Sequence, residues 1–134
     1  MPSKETKING EQQIGYQRTE EFYSDYANNV FLENSVWDLK LVFGQLDQSV
    51  SPPAIEQRAA ITIPWTQVKI LSYLLSVHLV GFEIANGKIK IPEGLIPPEP
   101  PPPTQSQRKA EPNFDQIVEA IRKLRVQFFD LKST

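Results

Sequence analysis

Cysteine is absent from this 134-residue chain, and histidine and methionine occur once each. Disulfide staples, thiolate zinc sites and thiol nucleophiles are thereby excluded, and the softer metal sites nearly so. An excess of charge is lacking too. Fourteen Lys and Arg stand against sixteen Asp and Glu, a formal net charge of -2 that offers no long-range attraction to a nucleic acid or an anionic bilayer. The six glycines are isolated from one another, so no Gly-x-Gly-x-x-Gly or Gly-Lys-Ser/Thr phosphate loop can form. No cofactor and no metal is expected. The N-terminus, Met1 to Lys7, is polar and leads into no apolar run, and the longest apolar segment is interrupted by Lys69, Ser72, Ser76 and His78. These features point to a cytoplasmic chain with no membrane partner.

What is present divides into four parts: an arm over residues 1–20, a core domain over 21–94, a proline-rich linker over 95–112 and an amphipathic helix over 113–134. The arm is rich in Lys, Glu, Gln and Asn and cannot bury enough apolar surface to offset ordering, so no fixed structure is expected of it. The core domain is small. Domains of roughly 60–70 residues bury only about 60% of the surface their unfolded chains expose, and self-association often supplies the rest.

Within the core domain, Tyr26 to Glu33 has the aromatic and β-branched content of a strand, and Asn34-Ser35 supplies a turn. Val36 to Phe43 then alternates: Trp37, Leu39, Leu41 and Phe43 fall on one face, Asp38 and Lys40 on the other. A third strand is read over Glu56 to Ile63, ended by Pro64, and a helix over Trp65 to Glu83. Asn86-Gly87 suits a helix C-terminus, and Lys88-Ile89-Lys90-Ile91-Pro92 alternates like a short edge strand. The fold class is α+β: a small antiparallel sheet of three to four strands packed by one long helix, with a separate C-terminal helix after the linker.

The long helix is apolar around most of its circumference. Val68, Leu71, Leu75, Leu79 and Phe82 make one stripe, and Ile70, Leu74, Val77 and Gly81 make a second. One sheet face cannot cover both, so Ile70, Leu74 and Val77 are candidates for an interface with a second copy of the chain.

From Pro97 to Pro103 the rings fix φ and remove amide donors, which favours stiff polyproline II. A spacer is the preferred reading, with a ligand for an aromatic groove as its rival. Beyond it, Asn113 and Gln116 have capping-box spacing, and Phe114, Ile117, Ile121, Leu124, Phe128 and Leu131 recur at intervals of three and four. That seam is too short to stand alone in water. A stiff linker would hold it away from the core domain, where it would engage another subunit or an unknown protein.

The candidate chemistry is thin. His78 is flanked by Val77, Leu79 and Val80 with no second ligand at helical spacing, which favours packing over catalysis. Glu33, Asp38 and Asp47 fit solvated strand faces better than a shared carboxylate site. The best-formed alternative is a small nucleic-acid-binding domain in which Phe31, Trp37, Phe43, Trp65 and Tyr73 stack on bases while Lys40, Arg58, Lys88 and Lys90 contact phosphates. It is disfavoured because those cations are matched by nearby acids. A non-enzymatic interaction or assembly module is the preferred reading.

Several pieces of the core domain, in order, resemble a small prokaryotic family, domain of unknown function 3467. They are Tyr26-Ala27-Asn28, Asp38 through Phe43-Gly44, Ile61-Thr62-Ile63-Pro64 and the helix end from Glu83 to Gly87, all within residues 22–92. The resemblance implies a single domain and a prokaryotic setting. The family has no assigned activity, so it implies no catalytic residue.

Overall fold

The computed structural model describes residues 4–8 and 12–131. Residues 1–3, 9–11 and 132–134, which belong to the expected N-terminal arm and C-terminal helix, lie outside the described residues.

The structure is α+β, with a three-stranded antiparallel sheet, one long helix and a C-terminal helix beyond the prolines. Two compact units divide it, residues 1–76 and 77–134. The first unit begins with a hairpin that the composition of the arm did not lead one to expect: β1 (Lys4–Ile8) pairs antiparallel with β2 (Gln12–Tyr16). A lone two-stranded hairpin is marginal in water, and polar sequences of this kind give little sign of it.

The sheet follows. β3 (Asn29–Asn34), β4 (Asp38–Asp47) and β5 (Ala54–Pro64) lie in the order β3-β4-β5, every pair antiparallel. The turn from β3 to β4 is held by Ser35, whose hydroxyl oxygen accepts the amides of Trp37 and Asp38, each at 3.1 Å. This turn takes Trp37 out of the strand. Its alternation with Leu39 had put it on the apolar face, but it sits in the turn, 81% exposed.

α1 (Trp65–Asn86) begins at the residue after β5 ends. The indole N–H of Trp65 donates to the Ser35 carbonyl at 3.0 Å and ties the helix start to the β3–β4 turn. The helix ends as expected, with Gly87 at φ 90° and its amide donating to the Glu83 carbonyl at 2.8 Å.

In the second unit the expected edge strand at Lys88–Pro92 does not form. The Ile89 amide donates instead to the Glu83 carboxylate at 2.9 Å, and Lys88 reaches Asp130 at 2.6 Å, so backbone and side chain are both committed elsewhere. A single 3-10 turn (Glu93–Leu95) leads into the prolines, then α2 (Gln105–Ala110) and α3 (Phe114–Phe128). The capping box is on α2, not α3: Thr104 and Gln107 bond each other's backbone amides at 3.2 and 2.9 Å. Asn113 makes no side-chain cap because its ψ of 9° departs from the extended geometry a cap needs.

Candidate functional site

Side chains on directly paired residues of antiparallel strands share a face, so the register defines both faces of the sheet. One face carries three successive rows: Asn34, Leu39 and Ile63; Leu32, Leu41 and Ile61; Val30, Phe43 and Ala59. All but Asn34 are apolar. Leu39 is buried, yet Val30, Leu32 and Ile61 are 53, 54 and 59% exposed. The opposite face mixes Phe31, Val42 and Ala60 with Thr62 and with Glu33 and Lys40, which pair at 3.5 Å.

The apolar face stops at a β-bulge. Phe43 pairs with Ala59 and Gly44 with Gln57, so Arg58 has no partner in β4. Beyond the bulge the alternation of β5 is reversed, which places Glu56 opposite Gln45 at the rim and moves Ile55 to Leu46 on the other face. Only glycine fits opposite: a Cβ on residue 44 would lie 2.8 Å from the Glu56 carbonyl oxygen and 3.0 Å from Ile55. The segment before β3 is fastened here as well. The Asn28 amide donates to the Gly44 carbonyl at 3.1 Å, and the Asn28 side-chain oxygen accepts the Leu46 amide at 2.9 Å. Tyr26-Ala27-Asn28 and Phe43-Gly44 thus meet at one place.

A cavity of about 210 Å³ opens at this end of the apolar face, between Phe43, Ala59 and Ile61 on the sheet and Tyr23 to Ala27 on the incoming segment. Arg58, turned out by the bulge, lies 3.6 Å from Asp25 and 3.8 Å from Glu56. Asp25 accepts the Tyr26 amide at 2.8 Å and the Tyr23 hydroxyl at 3.0 Å. Those hydrogen bonds, the Tyr26 amide foremost, hold its carboxyl below the usual carboxylate range, with the Arg58 charge adding to the effect. The same bond to Asp25 pushes the Tyr23 phenol up. At neutral pH one group therefore stays ionised and the other protonated. Such a pair suits positioning and not proton exchange.

The remaining candidates are dispersed. Asp38 takes the Ser35 hydroxyl at 2.9 Å, Asp47 serves Ser49, and Glu33 faces Lys40, so the three carboxylates form no common site. His78 is exposed on α1, and among the described residues no cluster of three His, Asp or Glu could hold a metal ion. Of the four candidate phosphate-binding cations, Lys40, Arg58 and Lys88 are each paired with an acid, the last with Asp130, which pushes the lysine pKa up. Trp37 and Tyr73 are exposed, but they belong to different elements, a turn and α1.

The predicted interface residues on α1 are open. Ile70, Leu74 and Val77 are each about half exposed, and in residues 65–76 only Val68 and Leu71 are half-buried, both on the other stripe. By length and composition α1 could also cross a membrane.

α3 is docked on the proline segment, a relationship that the stiff-spacer reading did not contain. The Arg125 side chain donates to the Pro97 carbonyl at 2.8 Å, and Arg122 lies 3.2 Å from Glu99. Val118, on the same helical face, is 5% exposed, while Pro100 and Pro103, one polyproline turn apart, are half-buried. The rest of the predicted seam divides. Phe114 and Leu131 are half-buried, whereas Ile117, Ile121, Leu124 and Phe128 remain exposed. Prolyl carbonyls have no local amide donors, and arginines three residues apart on a facing helix are the signal that could have revealed the docking.

No protein-family model, curated protein or solved structure matches the chain.

Proposed function

We propose that the chain is a non-enzymatic assembly module that self-associates through its central domain and engages a partner or further subunit through α3. The observation that carries this reading is the pair of open apolar surfaces in one small unit: the sheet face around Leu32, Leu41 and Ile61, and the α1 stripe of Ile70 and Leu74. Apolar patches of this extent mark contact surfaces. The exposed Ile117, Ile121, Leu124 and Phe128 supply a third such surface, on α3. Light scattering on the full chain tests the proposal. A dimer or larger assembly at micromolar concentration supports it, and a monomer at every concentration refutes it.

The nucleic-acid reading has three of its four cations, Lys40, Arg58 and Lys88, already matched by Glu33, Asp25, Glu56 and Asp130. It predicts binding that falls steeply with salt and is lost in Lys40→Glu, and assembly alone predicts neither.

A further inference from the structure

We infer that residues 97–103 are a preformed ligand: α3 holds one side of the proline segment, and Pro98, Pro101 and Pro102 on the free side fit an uncharged, aromatic-lined groove on another protein. The conformation is set before any partner arrives. Every residue from 96 to 102 except Pro98 precedes a proline and is thereby kept out of the helical region, while each ring fixes its own φ. Ile96 at φ -70°, ψ 124° and Thr104 at φ -82°, ψ 163° bracket the run in the same extended region. These constraints make the run a polyproline II helix, with three residues to the turn and three edges along its length.

Those edges are unequal. The edge of Pro97, Pro100 and Pro103 lies on α3: Arg125 donates to the Pro97 carbonyl at 2.8 Å, and Pro100 and Pro103 are half-buried. Glu99 beside it is drawn to Arg122 at 3.2 Å. Pro98 and Pro101, one turn and about 9 Å apart, form the edge left over, and Pro102 next to them is exposed as well. Grooves that read polyproline lay aromatic rings against successive prolines and depend on a chain that is already extended. α3 leaves one side of the run clear and adds a fixed orientation that proline alone lacks, which lowers the ordering cost of binding. A spacer needs neither.

The chemistry of the groove follows from what the run offers. Among the described residues the Pro97 carbonyl is the one in the run that accepts a hydrogen bond, so the carbonyls of Pro98, Pro101 and Pro102 are open to a donor. Trp and Tyr supply a flat ring and an N–H or O–H together. A charged pocket has nothing to meet: Glu99 is matched by Arg122, and the first cation beyond the run, Arg108, is held by Asp115 at 3.0 Å. The partner is accordingly a groove walled by Trp and Tyr, and this surface is distinct from the exposed seam of α3 and does not rest on self-association.

Two isotope-labelled probes test it by NMR, each titrated with the unlabelled full-length chain: a WW domain, whose groove is a Trp and a Tyr, and an SH3 domain, whose aromatic groove adjoins an acidic pocket. Saturable shifts in the WW groove are expected, with weaker binding to the SH3 domain. Pro98→Ala, Pro101→Ala and Pro102→Ala together should weaken WW binding by about tenfold or more, the loss typical of interface anchors, while amide exchange of α3 stays as in the unsubstituted chain. Arg122→Ala with Arg125→Ala frees the run from α3 and should weaken binding several-fold, since the fixed orientation is then lost. Shifts in neither probe overturn the inference, and so does tighter binding to the SH3 domain. Loss of α3 protection in the triple-proline variant overturns the assignment of the free edge. Binding that is unchanged or tightened once α3 is released overturns the presenting role of the helix, which would then be a bystander or a cover.

Discussion

Asn28 grips β4 at two points, donating its amide to the Gly44 carbonyl at 3.1 Å and accepting the Leu46 amide on its side chain at 2.9 Å. It thereby extends the β3–β4 pairing past the bulge with a side chain where a backbone carbonyl would otherwise be needed. Asn28→Ala should cost about 0.5–1.5 kcal/mol, the usual net worth of such a bond. Asn28→Asp, which keeps the acceptor, should remain close to wild type at pH 7. Thermal unfolding of the three proteins is the measurement, and equal losses in both variants would contradict the assigned bond.

Gly44→Val should be the most damaging single change in the sheet. Its Cβ would fall 2.8 Å from the Glu56 carbonyl oxygen, a backbone atom that can move only by opening the bulge. Overpacking of this kind costs about 1–3 kcal/mol. For a domain of this size that is a fall of roughly 4–8 °C in Tm per kcal/mol, read by circular dichroism. Arg58 should lose its contact with Asp25 in the same variant, because the bulge is what turns it out.

The Asp25 carboxyl has its pKa lowered by folding, so its stabilisation is complete above the unfolded value of about 3.9 and fades as pH falls through the lower folded value. Asp47, lowered by the Ser49 hydroxyl and amide, acts in the same direction. Lys88 is the reverse case. Its raised pKa gives stabilisation that is complete below about 10.4 and is lost as pH rises through the higher folded value. Asp25→Asn should therefore flatten the acid side of a Tm-against-pH curve, and on the alkaline side it should remove the part contributed by the Tyr23 phenol that Asp25 pushes up. Asp130→Asn should flatten the alkaline side by releasing Lys88.

Leu124→Asp with Phe128→Asp should abolish whatever contact the exposed α3 seam makes, since each side chain is worth on the order of 1.5–3 kcal/mol when buried. Val118, Arg122 and Arg125 face the prolines and are untouched by that change. Assembly size and amide exchange of α3 should accordingly separate: the first falls while the second is kept. Joint loss of both would mean that the seam and the proline contact are one surface.

The sheet and α1 were legible because their signals are local. The alternation of Leu39, Leu41 and Phe43 requires a strand, and Pro64 followed by a long apolar run requires a helix start. The bulge was not legible, since a one-residue slip between Phe43–Gly44 and Gln57–Ala59 depends on pairing between strands and leaves no periodic trace. Lys88 to Pro92 alternates like a strand, but alternation cannot show that a carboxylate from the preceding helix has taken the Ile89 amide. The linker misled differently. Residues 97–104 form neither helix nor strand, but stiffness says nothing about whether a neighbouring helix lies along them, and the seam of Ile117, Ile121, Leu124 and Phe128 is a stronger periodic signal than the Val118, Arg122 and Arg125 face.

Arg125 on Pro97 and Arg122 beside Glu99 also fix the phase between two screws of unlike pitch. Adding one residue between Pro97 and Pro103 turns everything upstream by about 120° and advances it about 3 Å, which carries the Pro97 carbonyl off the helix. Adding three restores the facing side, but shifts it by about 9 Å, nearly two turns of the helix opposite. The segment is therefore gauged to α3 in both length and rotation. As a plain tether it would have tolerated any number of extra residues.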